Sequence, residues 1–378
     1  MVSRQWQKPA VILLATVLLG ACATQPPPSP AEEPAVLPPA TAPAAGPSEP
    51  IPAPLPTLRI VAVGDMMIGT DYPMSRLPDD DAASFLADVT PLLSAADIAF
   101  GNLEGVLLDG GTPAKRCSNP AACYLFRSPT RYAVHYANAG FDAISLANNH
   151  ARDFGEEGRT SSMLALDAHD IRHSGRDGTV AEWQVRGVRI AMAAFAVTRE
   201  SNSMLDVALA TQTIEMLAAR NDVVVVSFHG GAEGLDALHV PFSEESYYDE
   251  PRGDVVRFAR GAVDAGADLV IGHGPHVVRG LERYRERLIA YSLGNFATYY
   301  GISVAGLKGV APVLDVEIDG NGRFVGGLIH STVQIRPAGP SFDPESRALT
   351  WMRTLTNQDF AGGGLDIDDT GRIAPAER

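Results

Sequence analysis

Five short apolar runs of this chain each end in polar side chains, and this pattern restricts the possible folds more than any other feature of the sequence. The run "LVIG" (269–272), for example, is followed at once by two histidines three residues apart. In an open α/β sheet, ligands bind beyond the carboxyl ends of the strands, so strands of one core would bring these ends to a single edge. The polar residues at the five ends are Asp65, Asn102 with Glu104, Asn149 with His150, His229, and His273 with His276.

Amphipathic stretches lie between the apolar runs from residue 58 onward. The predicted helices cover 81–94, 129–139, 155–169, 211–220 and 252–265. The predicted hairpins cover 183–196, 279–294 and 310–335. Such an alternation is typical of an α/β domain built in layers. The tail from about residue 340 is polar with little periodicity, and we expect it to add a strand or to wrap the domain.

The residue types at the strand ends indicate a metal site. Aspartate, glutamate, asparagine and histidine offer nitrogen and oxygen ligands without thiolate, a set that suits Zn, Mn or Fe. Their number exceeds what one tetrahedral structural site needs and fits a two-metal site that activates water. Each piece alone also has an ordinary structural interpretation. On that interpretation, His273 and His276 form hydrogen bonds within their own loop and bind no metal.

The first residues have the layout of an export signal. Two basic residues, Arg4 and Lys8, precede an apolar stretch over 9–21 that is short for a membrane span. "LGAC" resembles the lipobox of bacterial lipoproteins, which predicts lipidation of Cys22; the alternatives are a plain secretory signal or an uncleaved anchor. We expect a signal peptide over 1–21 and a disordered, Pro/Ala-rich linker over 22–57.

The two remaining cysteines, Cys117 and Cys123, are six residues apart in "RCSNPAACYLF". In an exported protein this spacing favours a small disulfide loop, while a metal site of the CxxC type would require closer spacing and more partners.

The formal net charge of −15 argues against nucleic acid or anionic lipid as the main partner. An anionic substrate remains compatible with it, because metal ions would reverse the field locally.

Six stretches in order between residues 60 and 296 carry a family resemblance. They are "VGDMMIG", "NLEG", "LANNHARDFGEEG", "HGGAE", "GHGPHV" and "YSLGNF". Together they resemble the CapA family of poly-γ-glutamate capsule synthesis proteins, which looks like a branch of the calcineurin-like metallophosphoesterases. The resemblance implies a four-layer α-β-β-α sandwich over 58–300, with a C-terminal hairpin and tail over 301–378 packed on the same domain.

The resemblance also implies roles for single residues. His150 matches the histidine that faces the leaving group. The residues that match metal ligands of the superfamily are Asp65, Glu104, Asn149, His229, His273 and His276. Three departures affect this set: Met67 replaces a histidine of the first motif, Glu104 is longer than the usual aspartate, and two residues separate the last histidines instead of one. The chain would accordingly hold one divalent ion, two weakly bound ions or none, with Mn, Fe and Zn as candidates.

Four further residues are expected around the ligands. Asn102 stands beside Glu104, and Asp153 or Glu233 would orient a histidine from behind. Asn295 lies in "YSLGNF" near the expected rim of the site, as a contact to the substrate or as a structural residue.

Two functions compete on this basis. The first is a metal-dependent hydrolase of the cell envelope that acts on a phosphoester or on a polymer such as poly-γ-glutamate. The second is a non-catalytic accessory protein that binds the polymer within a capsule synthesis and export machinery; a third interpretation keeps the fold only as a scaffold. The lipid anchor would hold the chain facing the periplasm, and Ala23 after the cysteine favours the outer membrane.

Overall fold

The structure is a computed structural model, and it describes residues 27, 55–116 and 123–376. Most of its strands belong to two large sheets, each with a parallel centre. Ala53–Arg378 form one unit. Within the described residues the strands, in chain order, are β1 (Leu58–Met67), β2 (Ile98–Leu103), β3 (Val106–Leu107), β4 (Arg127–Ser128), β5 (Ala143–Ser145), β6 (Arg172–Ser174), β7 (Ala181–Val185), β8 (Val188–Ala196), β9 (Val223–His229), β10 (Glu245–Tyr247), β11 (Glu250–Gly253), β12 (Leu269–His273), β13 (Leu281–Tyr284), β14 (Arg287–Ala290), β15 (Asn295–Thr298), β16 (Val310–Ile318), β17 (Phe324–Gln334), β18 (Pro340–Phe342), β19 (Leu365–Ile367) and β20 (Arg372–Pro375).

The helices follow the strands they cover. They are α1 (Thr90–Leu93), α2 (Ala133–Ala139), α3 (Gly155–Asp167), α4 (Val207–Ala218), α5 (Val255–Asp264) and α6 (Arg347–Asp359). Two of them begin at an aspartate whose side chain accepts a hydrogen bond from the first turn: Asp206 from the Leu209 amide and Asp254 from the Arg257 amide. Such caps satisfy amides that have no partner inside the helix and stabilise it by about 1 kcal/mol.

The larger sheet has the order β19-β20-β17-β16-β1-β2-β5-β6, with β15 paired to β1 and β18 to β17. β1, β2, β5 and β6 are parallel, whereas β16 runs antiparallel to β1. The register of β1 shifts before Asp65 against β2 and after Asp65 against β15, and Asp65 pairs with both Asn102 and Asn295. This irregularity brings three chain segments together at one side chain.

The smaller sheet has the order β13-β14-β12-β9-β8-β7. Its central strands β8, β9, β12 and β14 are parallel, and His229 of β9 stands in register with His273 of β12. Both histidines therefore reach the carboxyl end of the sheet at the same height.

The alternation of buried side chains confirms the four-layer α-β-β-α arrangement. In β1, Ile60 and Ala62 face the core between the sheets, while Val61 and Val63 pack with α1, α2 and α3 on the outer side. The valines of β9 alternate in the same way between the inner core and α4 with α5. Burying a large apolar side chain stabilises the fold by about 1.5–3 kcal/mol, so both faces of each sheet contribute.

Some predicted elements differ from the structure. The helix predicted over 81–94 is helical only over Thr90–Leu93. Asp81 and Ala82 adopt φ of 56° and 65°, outside the right-handed helical region, and residues 83–89 form successive turns with hydrogen bonds three residues apart. The helix predicted over 211–220 begins earlier, after Asp206. The tail adds α6 besides β18, β19 and β20, whereas we expected at most a strand. The three hairpins are confirmed.

The predicted signal peptide, Cys22 and nearly all of the predicted linker lie outside the described residues. Among the helices that the structure does describe, none is long and apolar enough to cross a membrane.

A buried ion pair joins the two loops that follow β9 and β12. Arg279, which is fully buried, donates hydrogen bonds to the Glu245 carboxylate at 2.9 and 2.6 Å and to the Ala237 carbonyl at 2.7 Å. Glu245 also accepts from the Ala232 amide at 3.0 Å. The pair thus links the chain just after His229 to the chain just after His276.

We expect Arg279→Met to lower the free energy of unfolding by about 3–5 kcal/mol, because it leaves a buried carboxylate without its partner. Arg285→Met is the matched control, since Arg285 and Asp264 form an exposed pair that contributes at most about 1 kcal/mol. Urea unfolding of both variants checks this. Equal losses of stability in the two variants would contradict a special role for the buried pair.

Candidate functional site

Five side chains that the sequence predicted as ligands meet where the central strands of both sheets end. We call them the strand-end cluster: Asp65, Glu104, His229, His273 and His276. Asp65 stands at the bulge of β1, and Glu104 follows β2 by one residue. His229 and His273 are the last residues of β9 and β12. The convergence follows from parallel strands in both sheets, which point their carboxyl ends in one direction.

Asp65 is fully buried and surrounded by donors. Its Oδ2 lies 2.9 Å from His276 Nδ1, and its Oδ1 accepts from Asn102 Nδ2 at 2.9 Å. His273 Nδ1 approaches Oδ1 at 3.3 Å. Burial raises the pKa of Asp65. The contacts with His273 and His276 lower this pKa by more than burial raises it, so the pKa lies well below its usual value. Asp65 is therefore a carboxylate at neutral pH.

Glu104 is the second buried carboxylate. Its Oε2 accepts from Asn102 Nδ2 at 2.9 Å and lies 3.2 Å from His229 Nε2. Its Oε1 lies 3.9 Å from His150 Nε2 and 4.0 Å from His276 Nε2. Burial raises the pKa of Glu104, while the nearby histidines, His229 foremost, lower it to about 2. One amide group, that of Asn102, thus donates to both carboxylates.

His276 carries the positive charge that these carboxylates attract. Burial lowers its pKa, but the hydrogen bond and charge of Asp65, with the charges of Glu104 and Glu233, raise it to about 10. Its Nδ1 also lies 3.0 Å from Asn295 Oδ1. The residue has a φ of 57° and follows Gly274, where an added Cβ would lie 2.7 Å from the Gly230 carbonyl oxygen. The loop can pass this close only because residue 274 is glycine.

Several buried atoms of the site lack a hydrogen-bond partner among the described residues. They are Glu104 Oε1, Asn149 Oδ1, and both ring nitrogens of His229 and of His273. Two of these nitrogens, His229 Nε2 and His273 Nδ1, lie 3.2 and 3.3 Å from a carboxylate oxygen but are not aligned for a hydrogen bond. Leaving a polar atom in this state costs about 1–3 kcal/mol each, so a group that coordinates them would be strongly favoured. Ligand atoms of Glu104, His229 and His276 lie within 4.8 Å of one another. This group of three can hold a divalent metal ion.

His150 lies beside the cluster, and Asp153 fixes its ring through the nitrogen that points away from Glu104. Its Nδ1 is 2.7 Å from Asp153 Oδ2, and its ring packs on Phe126 with centroids 4.3 Å apart. When Nδ1 donates to Asp153, the Nε2 that faces Glu104 is the unprotonated nitrogen of the neutral ring. Sequence reasoning missed Lys115, whose Nζ lies 3.3 Å from His150 Nδ1 and 3.3 Å from Asp153 Oδ1. No motif distinguishes this lysine from others in the chain.

The other expected residues surround the cluster at different distances. Asn295 donates to the backbone carbonyls of His276, Ser303 and Lys308 at 3.1–3.2 Å, so it holds the His276 loop. Glu233 Oε1 pairs with Arg252 at 2.8 Å, and its Oε2 lies 4.0 Å from His276 Nε2.

Asn148, the first asparagine of "NNH", is a scaffold residue. Its Nδ2 donates to Asn102 Oδ1 at 3.1 Å and to the Leu103 carbonyl at 2.7 Å, while its Oδ1 accepts from the His150 amide. It therefore orients the amide of Asn102 that joins the two carboxylates.

Met67 is buried, and its thioether adds no nitrogen ligand. Cys123 is disulfide-bonded, and the predicted partner Cys117 lies outside the described residues.

A pocket of about 230 Å³ opens on this site. His150, His276, Glu233 and Asn295 supply its polar wall, and Tyr124, Phe126 and Tyr247 supply aromatic surface. A ligand in this pocket therefore contacts the residues that flank the cluster.

Comparison with protein families identifies the chain. The family model described as bacterial capsule synthesis protein PGA_cap matches residues 59–300, which include every residue of the strand-end cluster. The chain belongs to this family. The match confirms the resemblance to CapA proteins that the six motifs predicted.

Curated relatives carry matching names. The chain is 28% identical over 261 residues to the capsule biosynthesis protein CapA of Bacillus anthracis, covering 63% of this chain and 59% of that protein. It is 28% identical over 251 residues to the PGA biosynthesis protein CapA of Bacillus subtilis (strain 168), covering 62% and 61%. The chain thus spans about six tenths of the length of these relatives.

Solved structures resemble the chain only weakly. A hypothetical protein from Thermus thermophilus has 16% identity and a TM-score of 0.46, covering 74% of this chain and 100% of that chain. The calcineurin-like phosphoesterase YfkN from Bacillus subtilis has 15% identity and a TM-score of 0.37, covering 76% and 89%. The four-layer fold follows from the packing of this chain itself.

We expect the purified protein, refilled with Mn, Fe or Zn, to bind a divalent ion, and His229→Ala to bind several-fold less. Removing this imidazole takes away one of the three ligands that lie within 4.8 Å of one another. His169→Ala, which alters an exposed histidine, should bind as much as the wild type. Elemental analysis of metal per chain measures this. Equal metal in His229→Ala and wild type would show that the ion binds elsewhere.

Metal binding should also release a proton, because His276 is protonated in the metal-free site up to a pH of about 10. Below that pH the proton competes with the ion, so we expect apparent affinity to rise by up to about tenfold per pH unit between pH ~6 and ~8. Calorimetric titration in buffers of different ionisation enthalpy counts the released protons. An affinity that does not change over this range would contradict the competition.

Proposed function

We propose that this chain is a metal-dependent hydrolase of the bacterial cell envelope. The observation that carries the proposal is the set of buried ligand atoms without a hydrogen bond at the strand-end cluster and Asn149, beside a pocket that His150 lines. Membership in the capsule synthesis family supports a role in making or processing an envelope polymer.

The proposed ligands are Asp65, Glu104, Asn149, His229, His273 and His276, holding one or two ions of Mn, Fe or Zn. Ions bound there would supply Lewis-acid activation of a water and of the substrate oxygen. Asn102 keeps the two carboxylates in place through its hydrogen bonds at 2.9 Å. Asn295 holds His276 in orientation through the contact of its Oδ1 with Nδ1 at 3.0 Å, and the Glu233 carboxylate adds a negative charge 4.0 Å from Nε2.

His150 is the proposed general acid for the leaving group. It lines the pocket, and its Nδ1 is held by Asp153 at 2.7 Å; in the doubly protonated ring, Nε2 carries the second proton and is the nitrogen that would deliver it to the leaving group. Lys115 adds a positive charge within 3.3 Å of this pair, which favours a negatively charged leaving group.

The substrate we propose is an anionic envelope polymer such as poly-γ-glutamate, or a phosphoester. Lipidation of Cys22 would tether the chain to the membrane, facing the periplasm and most naturally at the outer membrane. Other capsule synthesis and export proteins are the proposed partners. Nucleic acid does not fit the net charge of −15.

A second candidate is a non-catalytic accessory protein that binds the polymer. Met67 favours it, since its buried thioether stands where the resemblance implies a histidine ligand. A relative from Mycobacterium tuberculosis (strain ATCC 25618 / H37Rv), 28% identical over 240 residues, is named a probable polyglutamine synthesis accessory protein.

We expect the metal-loaded protein to hydrolyse a phosphodiester, a phosphomonoester or a γ-glutamyl bond in a substrate screen. His150→Gln should lower kcat by about 10²–10⁴-fold, because general acid catalysis contributes about that much. Bound metal should stay at the wild-type level, which separates loss of the acid from loss of the ion. His169→Gln is the control for the substitution itself. A fully metal-loaded wild type without turnover would favour the accessory role.

A further inference from the structure

A second cavity adjoins the pocket of the strand-end cluster. It has a volume of about 660 Å³. Its wall is formed by Thr70, Tyr72, Pro73, Met74 and Arg76 after β1, together with residues 123–126, residues 300–303 and Arg336. The two cavities share lining residues, among them Tyr124, Phe126 and Ile302. A ligand longer than one unit can therefore extend from the cluster into the second cavity, which we call the arginine pocket.

The charge of the arginine pocket is positive. Arg76 and Arg336 line it, and none of the described lining residues is acidic, although acidic residues outnumber basic ones by 45 to 30 in the sequence. The two guanidinium carbons lie 5.5 and 5.0 Å from the centre of the same ring, that of Tyr300. A site of this sign in an acidic chain indicates an anionic ligand.

The two guanidinium groups have no counter-ion within the described part of the chain. Neither forms an ion pair there, and the ionisable groups that act on Arg336 are tyrosines and Arg76. Arg336 Nε is buried without a hydrogen-bond partner, although another nitrogen of that side chain donates to the Ile302 carbonyl. Burial lowers the pKa of Arg336, and the nearby charge of Arg76 lowers it further. Two cations that share one aromatic ring without a carboxylate between them gain stability when an anion binds.

We propose that the arginine pocket binds a carboxylate of an anionic chain while a neighbouring unit of the same chain lies at the strand-end cluster. This inference rests on the proposed function and names its ligand class, a polymer that bears carboxylates at regular spacing. Each guanidinium can donate two parallel hydrogen bonds to such a group. Tyr72, Met74 and Leu125 in the same wall offer apolar surface for the carbon segments between the charges.

The test measures binding of a γ-linked glutamate hexamer to the metal-loaded protein by calorimetry at low salt. We expect Arg336→Gln and Arg76→Gln each to weaken binding by about tenfold, since each removes a charge-assisted contact. Arg76 is exposed, so its variant should fold even if Arg336→Gln is unstable. Arg257→Gln, an exposed change of equal charge on α5 outside both cavities, should stay within about twofold of the wild type.

Three results would overturn the proposal. One is wild-type protein that does not bind the hexamer. Another is equal affinity in the wild type and both arginine variants. The third is arginine-dependent binding of inorganic phosphate without binding of the hexamer, which would make the pocket a phosphate site. A γ-linked glutamine hexamer, which lacks the charges, should bind far more weakly.

This test separates the pocket from the hydrolase. Arginine-dependent binding of the hexamer by protein that shows no turnover would reject the hydrolase and keep the pocket. Turnover and metal content at wild-type levels in both arginine variants, with unchanged affinity for the hexamer, would reject the pocket and keep the hydrolase.

Discussion

Two carboxylates buried side by side set the constraint on which the site depends. Asp65 and Glu104 are both inaccessible to water, and each would be costly there without compensation. The compensation comes from one amide, that of Asn102, which donates to both, and from histidines contributed by the second sheet. The packing of the two sheets therefore serves the electrostatics of the site as much as it serves the hydrophobic core.

Much of this arrangement can be predicted from sequence because it depends on local patterns. An apolar run that ends in a polar residue indicates a strand whose end is functional, and parallel strands bring such ends together. The strand-end cluster follows from those two rules. α6 does not, because its buried face, Leu349, Met352 and Leu355, is narrow and lies in a segment that otherwise reads as polar. Likewise, left-handed backbone at Asp81 leaves no trace in hydrophobic periodicity.

Residues brought in by distant loops escape a sequence-based prediction for another reason. Lys115 contacts His150 across 35 positions, and Arg76 meets Arg336 only through the ring of Tyr300. Single basic residues in irregular segments are ordinarily solvated, and nothing in their neighbours along the chain distinguishes these three. Their surroundings are a property of the tertiary fold alone.

The close approach of Gly274 to Gly230 has a consequence for redesign of the site. The Gly230 amide donates to the His273 carbonyl at 2.9 Å, and the missing side chain at 274 lets the two loops touch through their backbones. The spacing between His229 and His276 is thus set by main-chain contact. An engineer can exchange either imidazole for another side chain while the main-chain frame that spaces the two positions stays the same.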